Sequence, residues 1–163
     1  MTAAGAVLNL TTPSSFPPAS SDRGTNPVWI SATIPLTALD HAGDSILLAG
    51  PMPTVAFIKN GSGVFSARWD DLDTHGTETL DFDLGFGGVD GVLDYTMINN
   101  GTASEDAASA EGAIITTKDP WIDIGGLYVI MEVIVASATY ATAAVIEVGF
   151  DYTQNVFKHD VVA

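Results

Sequence analysis

The chain has 163 residues and no cysteine, and its 20 acidic side chains against 5 basic ones give a formal net charge of −15. A chain of this length can bury a sizeable core in one domain, while the absence of thiols excludes disulfides and thiolate metal sites. The acidity argues against nucleic acid and anionic membranes as partners, because both are bound through clustered Lys and Arg.

Residues 1–27 are predicted to form an extended N-terminal arm. The segment TTPSSFPPASSDRGTNP (11–27) is rich in Pro, Ser and Thr, and prolines oppose both helices and central strands. Such a segment is disordered by itself, so we expect it to become ordered on its own body, on a sister subunit or on another partner. No signal peptide is expected, because the start lacks a basic region followed by a long apolar one.

Residues 28–163 are predicted to form a body of short strands and turns. VWISATIPL (28–36) and SILLAG (45–50) are strand candidates, the first at a sheet edge because it contains Pro35. TVAFIKNGSGVFSARW (54–69) predicts a hairpin, because Asn-Gly is the dipeptide that tight two-residue turns prefer.

The stretch ETLDFDLGF (78–86) alternates strictly between apolar and polar residues. Alternation predicts a strand with Asp81 and Asp83 on its wet face. An irregular calcium site that adds Asp90 or the acidic loop 70–73 is the alternative, although calcium needs six or more oxygen ligands. GGVDG (87–91) predicts a turn, and VLDYTMI (92–98) a pairing strand. Residues 99–113 are predicted to be a loop with one helical turn.

The body closes with IITTK (114–118), a short strand, and with two long apolar strands in 126–152. The strand at 127–136 is apolar on both faces, whereas a sandwich has only one core for each strand. Its second face must be covered by the arm, by loops or by another subunit, since large open apolar patches are a liability. We therefore expect an all-β antiparallel sandwich, jelly-roll-like, that forms a homo-oligomer.

Residues with the chemistry of a catalytic or cofactor site are scarce. There is no Cys, the three histidines (His41, His75 and His159) lie in turns or in the tail, and no serine sits in a strand-to-helix elbow. GSG at 61–63 is not followed by the Lys and Ser or Thr of a phosphate loop. We predict no catalytic, cofactor-binding or metal-ligating residues, and no enzyme.

Three stretches resemble small structural proteins of tailed bacteriophages: TIPLTALDHAGDSILLAGPMPTVAFIKNGSGVFSARWDD (33–71), ETLDFDLGFGGVDGVLDYTMI (78–98) and a closing VIMEVIVASATYATAAVIEVGFDY hairpin (129–152). The resemblance implies a virion structural protein, most specifically a capsid decoration (cement) protein on the head exterior, assembled in the host cytoplasm. It implies a homotrimer that clamps neighbouring subunits of the major capsid protein, and it brings no catalytic residues.

Partner contacts are expected in the arm and on the apolar strands of the body. Two alternatives stay open at this point, a neck, tail or baseplate component of the virion and a carbohydrate-binding β-sandwich that uses a tryptophan. The residues expected at contacts are Leu10, Phe16, Pro17 and Pro18 in the arm, with Trp29, Tyr128 and Ile130 at subunit contacts.

Overall fold

A computed structural model describes residues 7–10, 26–34, 43–61, 63–69, 80–103, 108–112, 120–136 and 144–154. The described residues form β-strands joined by turns, and none of them forms a helix long and apolar enough to cross a membrane. The strands are β1 (Val7–Asn9), β2 (Asn26–Ile34), β3 (Ser45–Ala49), β4 (Phe57–Lys59), β5 (Phe65–Trp69), β6 (Leu80–Gly87), β7 (Leu93–Ala103), β8 (Ala108–Gly112), β9 (Trp121–Asp123), β10 (Tyr128–Ala136) and β11 (Ala144–Tyr152).

Two sheets form the body. Sheet A has the order β1-β3-β10-β6-β7 and sheet B the order β2-β11-β5-β8, while β4 and β9 form a separate pair. Among the strands that the structure describes, all pairings are antiparallel except that of β1 with β3, which is parallel. The predicted all-β sandwich is confirmed.

The strand order interleaves the two sheets. Without β1 and the β4–β9 pair, the remaining strands counted along the chain take the orders 2-7-4-5 in sheet A and 1-8-3-6 in sheet B. This is the strand order of a jelly roll, in which two Greek keys are wound together. Strands far apart in sequence therefore lie side by side, and side chains from distant segments meet on each face.

The core lies between the sheets and is joined across them by aromatic rings. Phe65 of sheet B meets Phe86 of sheet A edge to face with ring centroids 5.6 Å apart, and Trp69 meets Phe82 in the same way at 4.9 Å. Such pairs add about 0.5–1.5 kcal/mol to the free energy of burial. The buried face predicted for β6 is confirmed, because Phe82, Leu84 and Phe86 are all fully buried. On the other face Asp83 is half-buried, and the side chain of Asp81 is not among those described.

Part of the outer face of sheet A, around Ile130, is covered by the chain itself, whereas Ile134 farther along β10 is exposed. Ile130 and its partner Leu47 are buried, yet they point away from the core cluster. The turn after β6 folds back over this face, where Ser45 Oγ donates a 2.8 Å hydrogen bond to the Gly91 carbonyl. A Cβ atom at Gly87 would lie 2.9 Å from Cδ1 of Ile130. Of the three covers that the sequence left open, a loop is the one seen here.

The predicted hairpin at Asn60-Gly61 is wrong. The two runs that flank it lie in different sheets, because β4 pairs with β9 while β5 pairs with β11 and β8. The Asn60 N–H is bonded to the Pro120 carbonyl instead, and in this connection Gly63 takes the positive φ of 75°. The local turn preference yields to the long-range pairing of each strand.

Two further expectations are corrected. The loop predicted at 99–113 is wrong for 99–103, where β7 continues, and for 108–112, where β8 pairs with β5. Residues 104–107 and 113, including the expected start of a helical turn, lie outside the described residues. The two closing strands do not form a hairpin, because β10 lies in sheet A and β11 in sheet B. The predicted strand at 114–118 falls outside the described residues.

Candidate docking face

Trp29 stands out on the outer face of sheet B. It lies in β2, an edge strand of that sheet, where Val28 and Ile30 on either side point into the core. Because side chains alternate along a strand, Trp29 points outward and is 59% exposed. Among the side chains that the structure describes, it is the one aromatic with an exposed ring.

A glycine on the neighbouring strand makes room for the indole. Gly149 of β11 pairs with Trp29 on one side and with Ser66 of β5 on the other. A Cβ atom at Gly149 would lie 2.8 Å from Cε3 of Trp29 and 2.9 Å from Cζ3. The six-membered ring therefore occupies the space that any other residue would fill with its side chain.

An ion pair in the next row of the sheet holds the other part of the indole. Glu147 and Arg68 are direct cross-strand partners, and Arg68 Nε donates a hydrogen bond to the Glu147 carboxylate. The guanidinium carbon lies 5.3 Å from the centroid of the Trp29 ring, within the range of a cation–π contact. Hydrogen bonds from Arg68 and from the Trp29 indole N–H lower the pKa of the Glu147 carboxyl, against the opposing effect of desolvation.

We name Trp29, Arg68, Glu147 and Gly149 the tryptophan platform. Its contacts fix the indole before any partner arrives, so binding loses little side-chain entropy. Trp and Arg are also among the residue types that contribute most to protein–protein affinity. The arrangement therefore has the parts of a docking surface.

The aspartates around Gly88 do not assemble into a described cation site. Asp83 lies directly opposite Glu132 on β10, and burial together with the Asp83 charge raises the pKa of Glu132. Asp90 is exposed, and its carboxylate accepts a 3.2 Å hydrogen bond from the Val92 N–H. Among the residues whose side chains are described, no group of three or more His, Asp or Glu could hold a metal ion. The loop at 70–73 lies outside those residues.

The residues expected at partner contacts fall in different places. Trp29 is exposed on sheet B, and Tyr128 is half-buried at the end of β10 against Gly50. Ile130 is fully buried under the β6–β7 turn, so the expectation of a partner contact is corrected for this residue.

Of the four arm residues expected at partner contacts, one is described by the structure and three are not. Leu10 is half-buried against its own core, and its N–H is bonded to the Leu47 carbonyl. Phe16, Pro17 and Pro18 lie outside the described residues, and contact by them stays a prediction. The boundary predicted at residues 27 and 28 also stays a prediction, although β2 begins at Asn26.

Sequence reasoning found Trp29 but missed the other members of the platform. Arg68, Glu147 and Gly149 lie 39 or more positions from Trp29, and only the register of β2, β11 and β5 brings them together. The available signal was the outward position of Glu147 and Gly149 in the alternation of β11. A glycine at such a position predicts close approach by another group.

No protein-family model and no curated protein matches the sequence. Among solved structures, a chain in the structure described as the capsid of Ralstonia phage GP4 is similar, with a TM-score of 0.64 and 19% identity over 90% of this chain and 97% of that one. A chain of the cyanophage Pam1 capsid asymmetric unit gives a TM-score of 0.48 and 20% identity over 86% and 93%. The sandwich fold is thus shared with a chain of the GP4 capsid, which confirms the resemblance to phage virion structural proteins at the level of the fold.

Proposed function

We propose that this protein is a structural, non-enzymatic component of a phage virion, and specifically a capsid decoration protein. The observation that carries the proposal is the likeness of the whole sandwich to a chain from the capsid of Ralstonia phage GP4, which is matched over 97% of its length. The likeness covers nearly all of both chains, so it reflects a common architecture and not one shared motif. A fold alone does not define function, and the surface of this chain supplies the second support.

The proposed place is the exterior of the head, where the protein binds the major capsid protein as a homotrimer after assembly in the host cytoplasm. A net charge of −15 keeps such a protein soluble before assembly. It also favours a partner surface that carries basic residues, because complementary charge speeds encounter and excludes wrong partners.

The tryptophan platform is the proposed contact with the shell. Trp29 offers a large apolar ring that is already held in place by Gly149 and the Arg68–Glu147 pair. A partner that buries this ring gains the free energy of apolar burial without ordering a mobile side chain. Single buried Trp anchors contribute about 2 kcal/mol or more at many interfaces.

The test uses head shells assembled without this protein. The full chain, Trp29→Ala and the control Val55→Ala are mixed with shells, sedimented, and scored for bound protein and for the temperature at which the shells open. Val55 is an exposed apolar residue outside the two sheets, so its truncation leaves both outer faces intact. Thermal unfolding of the free proteins checks that all three are folded.

We expect the full chain and Val55→Ala to bind and to raise the opening temperature, while Trp29→Ala loses about tenfold or more in affinity. Absence of binding by the full chain would refute the decoration function. Normal binding by Trp29→Ala would refute the platform as the contact. Labelled protein found at the neck, tail or baseplate by electron microscopy would support that alternative instead.

A further inference from the structure

We propose that Asp151 selects the partner of the tryptophan platform, by receiving a lysine or arginine of that partner beside the Trp29 ring. The inference deepens the proposed function and rests on it for the identity of the partner, the shell protein. The chemistry of the partner, a cationic side chain next to apolar surface, follows from the platform itself and can be tested without shells.

Asp151 lies on the same outer face as the platform. It is exposed and follows Gly149 by two residues in β11, so both positions point to the same side of sheet B. Asp151 is opposite Pro27 and Gly149 is opposite Trp29, which makes Asp151 and Trp29 diagonal neighbours on adjacent strands. Residues in this relation are about 7–8 Å apart, so a partner that covers the indole also covers the carboxylate.

Asp151 carries a charge that no described residue neutralises. Glu147, on the other side of Gly149 along β11, is paired with Arg68. Arg68 is the one basic residue in the four strands of sheet B. Among the residues that the structure describes, none forms an ion pair or a hydrogen bond with the Asp151 carboxylate. This acid is therefore available to a partner.

A partner that docks on Trp29 must compensate this carboxylate. Removing an ionised carboxylate from water is costly unless a cation is paired with it. An apolar or acidic partner surface would bear this cost, whereas a lysine or arginine would offset it. The same cation is attracted to the indole, because Trp is the side chain whose ring binds cations most strongly. Asp151 and Trp29 thus favour one kind of side chain together.

The side of the indole toward Asp151 is open to such a cation. Arg68 approaches the ring from the row of Glu147, with its guanidinium carbon 5.3 Å from the ring centroid. Asp151 lies beyond Gly149 in the opposite direction along β11, and Trp29 is 59% exposed. A partner's cation on this side would have its own carboxylate, as Arg68 has Glu147, so the two positive charges would not be left uncompensated.

The first experiment repeats the shell-binding assay with Asp151→Asn and Asp151→Lys. The matched controls are Asp94→Asn and Asp94→Lys, because Asp94 is also exposed but lies in β7 of sheet A. Each control makes the same change in net charge away from the platform. At physiological salt, screening over about 8 Å confines the effect of each charge to its surroundings.

We expect Asp151→Asn to lose about tenfold in affinity and Asp151→Lys about a hundredfold or more, while both controls bind like the wild type. Added salt should weaken binding of the wild type more than binding of Asp151→Asn, because the variant lacks one ion pair with the partner. Thermal unfolding of the free proteins checks that every variant is folded.

The second experiment needs no shells. The probe is the peptide acetyl-Ser-Arg-Leu-Arg-Ser-amide, compared with the same peptide carrying Gln or Glu in place of both arginines. Each is added at millimolar concentration, and the indole N–H signal of Trp29 is followed by NMR. We expect the arginine peptide to shift this signal in the wild type and in Asp94→Asn, and to shift it several-fold less in Asp151→Asn. The other two peptides should leave it in place.

The outcomes separate this inference from the proposed function. Loss of shell binding in Trp29→Ala but not in Asp151→Asn would overturn the inference and leave the platform as an apolar contact. Equal shifts from the arginine and glutamine peptides, or equal shifts in the wild type and Asp151→Asn, would overturn it whatever the shells show. A shift that depends on arginine and on Asp151, without shell binding by the full chain, would support the inference and refute the decoration function.

Discussion

The outer faces of the two sheets use glycine in opposite ways. On sheet A, Gly85 and Gly87 let the chain's own backbone lie on the face, because Cβ atoms there would come within 1.9 Å of the Tyr95 and Val92 carbonyl oxygens. On sheet B, Gly149 makes room for a side chain, the indole of Trp29. Part of one face is closed by its own turn, and the other face presents an aromatic ring to solvent.

The pKa values of the glutamates on the two faces shift in opposite directions. Glu132 on sheet A lies opposite Asp83, and its pKa is raised. Glu147 on sheet B lies opposite Arg68, and its pKa is lowered. The comparison teaches that covering a face removes water from a carboxylate, whereas an open face with a basic partner keeps the carboxylate charged.

The largest expected effect comes from a methyl group at Gly85. Gly85→Ala would place Cβ against the Tyr95 carbonyl, a backbone atom that cannot swing away. We expect the free energy of unfolding to fall by more than the roughly 3 kcal/mol of ordinary overpacking, as measured by denaturant unfolding.

The matched control for this substitution is Gly61→Ala, where the nearest atom is Val64 Cγ1 at 3.9 Å. Its free energy of unfolding should stay close to that of the wild type. Equal stability of Gly85→Ala and Gly61→Ala would mean that the Tyr95 carbonyl does not lie as close to Gly85 as described.

The next effect tests whether the covered face of sheet A is a true second core. Ile130→Ala should cost about 3 kcal/mol, because Ile130 is fully buried and its truncation leaves a cavity. Ile134→Ala, four residues along the same strand and exposed, should cost less than about 1 kcal/mol. If the two variants were equally stable, the turn would not exclude water from this face.

A smaller effect concerns the pH dependence of stability. The folded chain holds the Glu132 proton more tightly than the unfolded chain does, because the folded pKa is raised above 4.5. Stability contributed by this group is therefore greatest at acidic pH and falls as the pH rises through the folded pKa. Glu132→Gln should be more stable than the wild type at neutral pH and should lose this dependence.

Glu147→Gln should change the pH dependence of stability in the opposite direction. Because the folded pKa of Glu147 is lowered below 4.5, the stability from its ion pair is present at neutral pH and is lost as the pH falls through that pKa. Thermal unfolding from acidic to neutral pH measures both variants. Parallel curves for the two would contradict the opposite environments of these glutamates.

The smallest effect on stability is expected for Gly149→Ala. The added methyl would displace the Trp29 ring, but an exposed ring can move, and alanine gains about 0.5–1 kcal/mol over glycine in a strand. We expect nearly unchanged stability together with a shifted indole N–H signal of Trp29 in NMR spectra. An unshifted signal would show that the ring does not occupy the space beside Gly149.

The sequence was sufficient where a local pattern decides the structure. Strict alternation predicts β6 and its buried side chains, and it places Glu147 on the outer side of β11. It was insufficient where distant pairing decides, as at Asn60-Gly61, whose flanking strands find partners in different sheets. The small residues of β8 show no local strand pattern, and the segment is a strand because it pairs with β5.

The same distinction between local pattern and distant strand pairing applies to the residues of the candidate site. Trp29 could be found as a large aromatic on the outward side of an edge strand. Its contacts with Gly149 and Arg68 could not be predicted, because they depend on the register between three strands that are remote in sequence.

The pairing of β2 with β11 also has a consequence for how the chain comes to be folded. These strands are in register from Asn26 opposite Tyr152 to Ile34 opposite Ala144, so the ladder closes a loop that contains most of the body. A chain emerging from the ribosome cannot form this ladder until β11 has been made, and loop closure of this length slows folding. Trp29 and Gly149 belong to this ladder, so the tryptophan platform is completed only after β11 has been synthesised, when the whole sandwich can form.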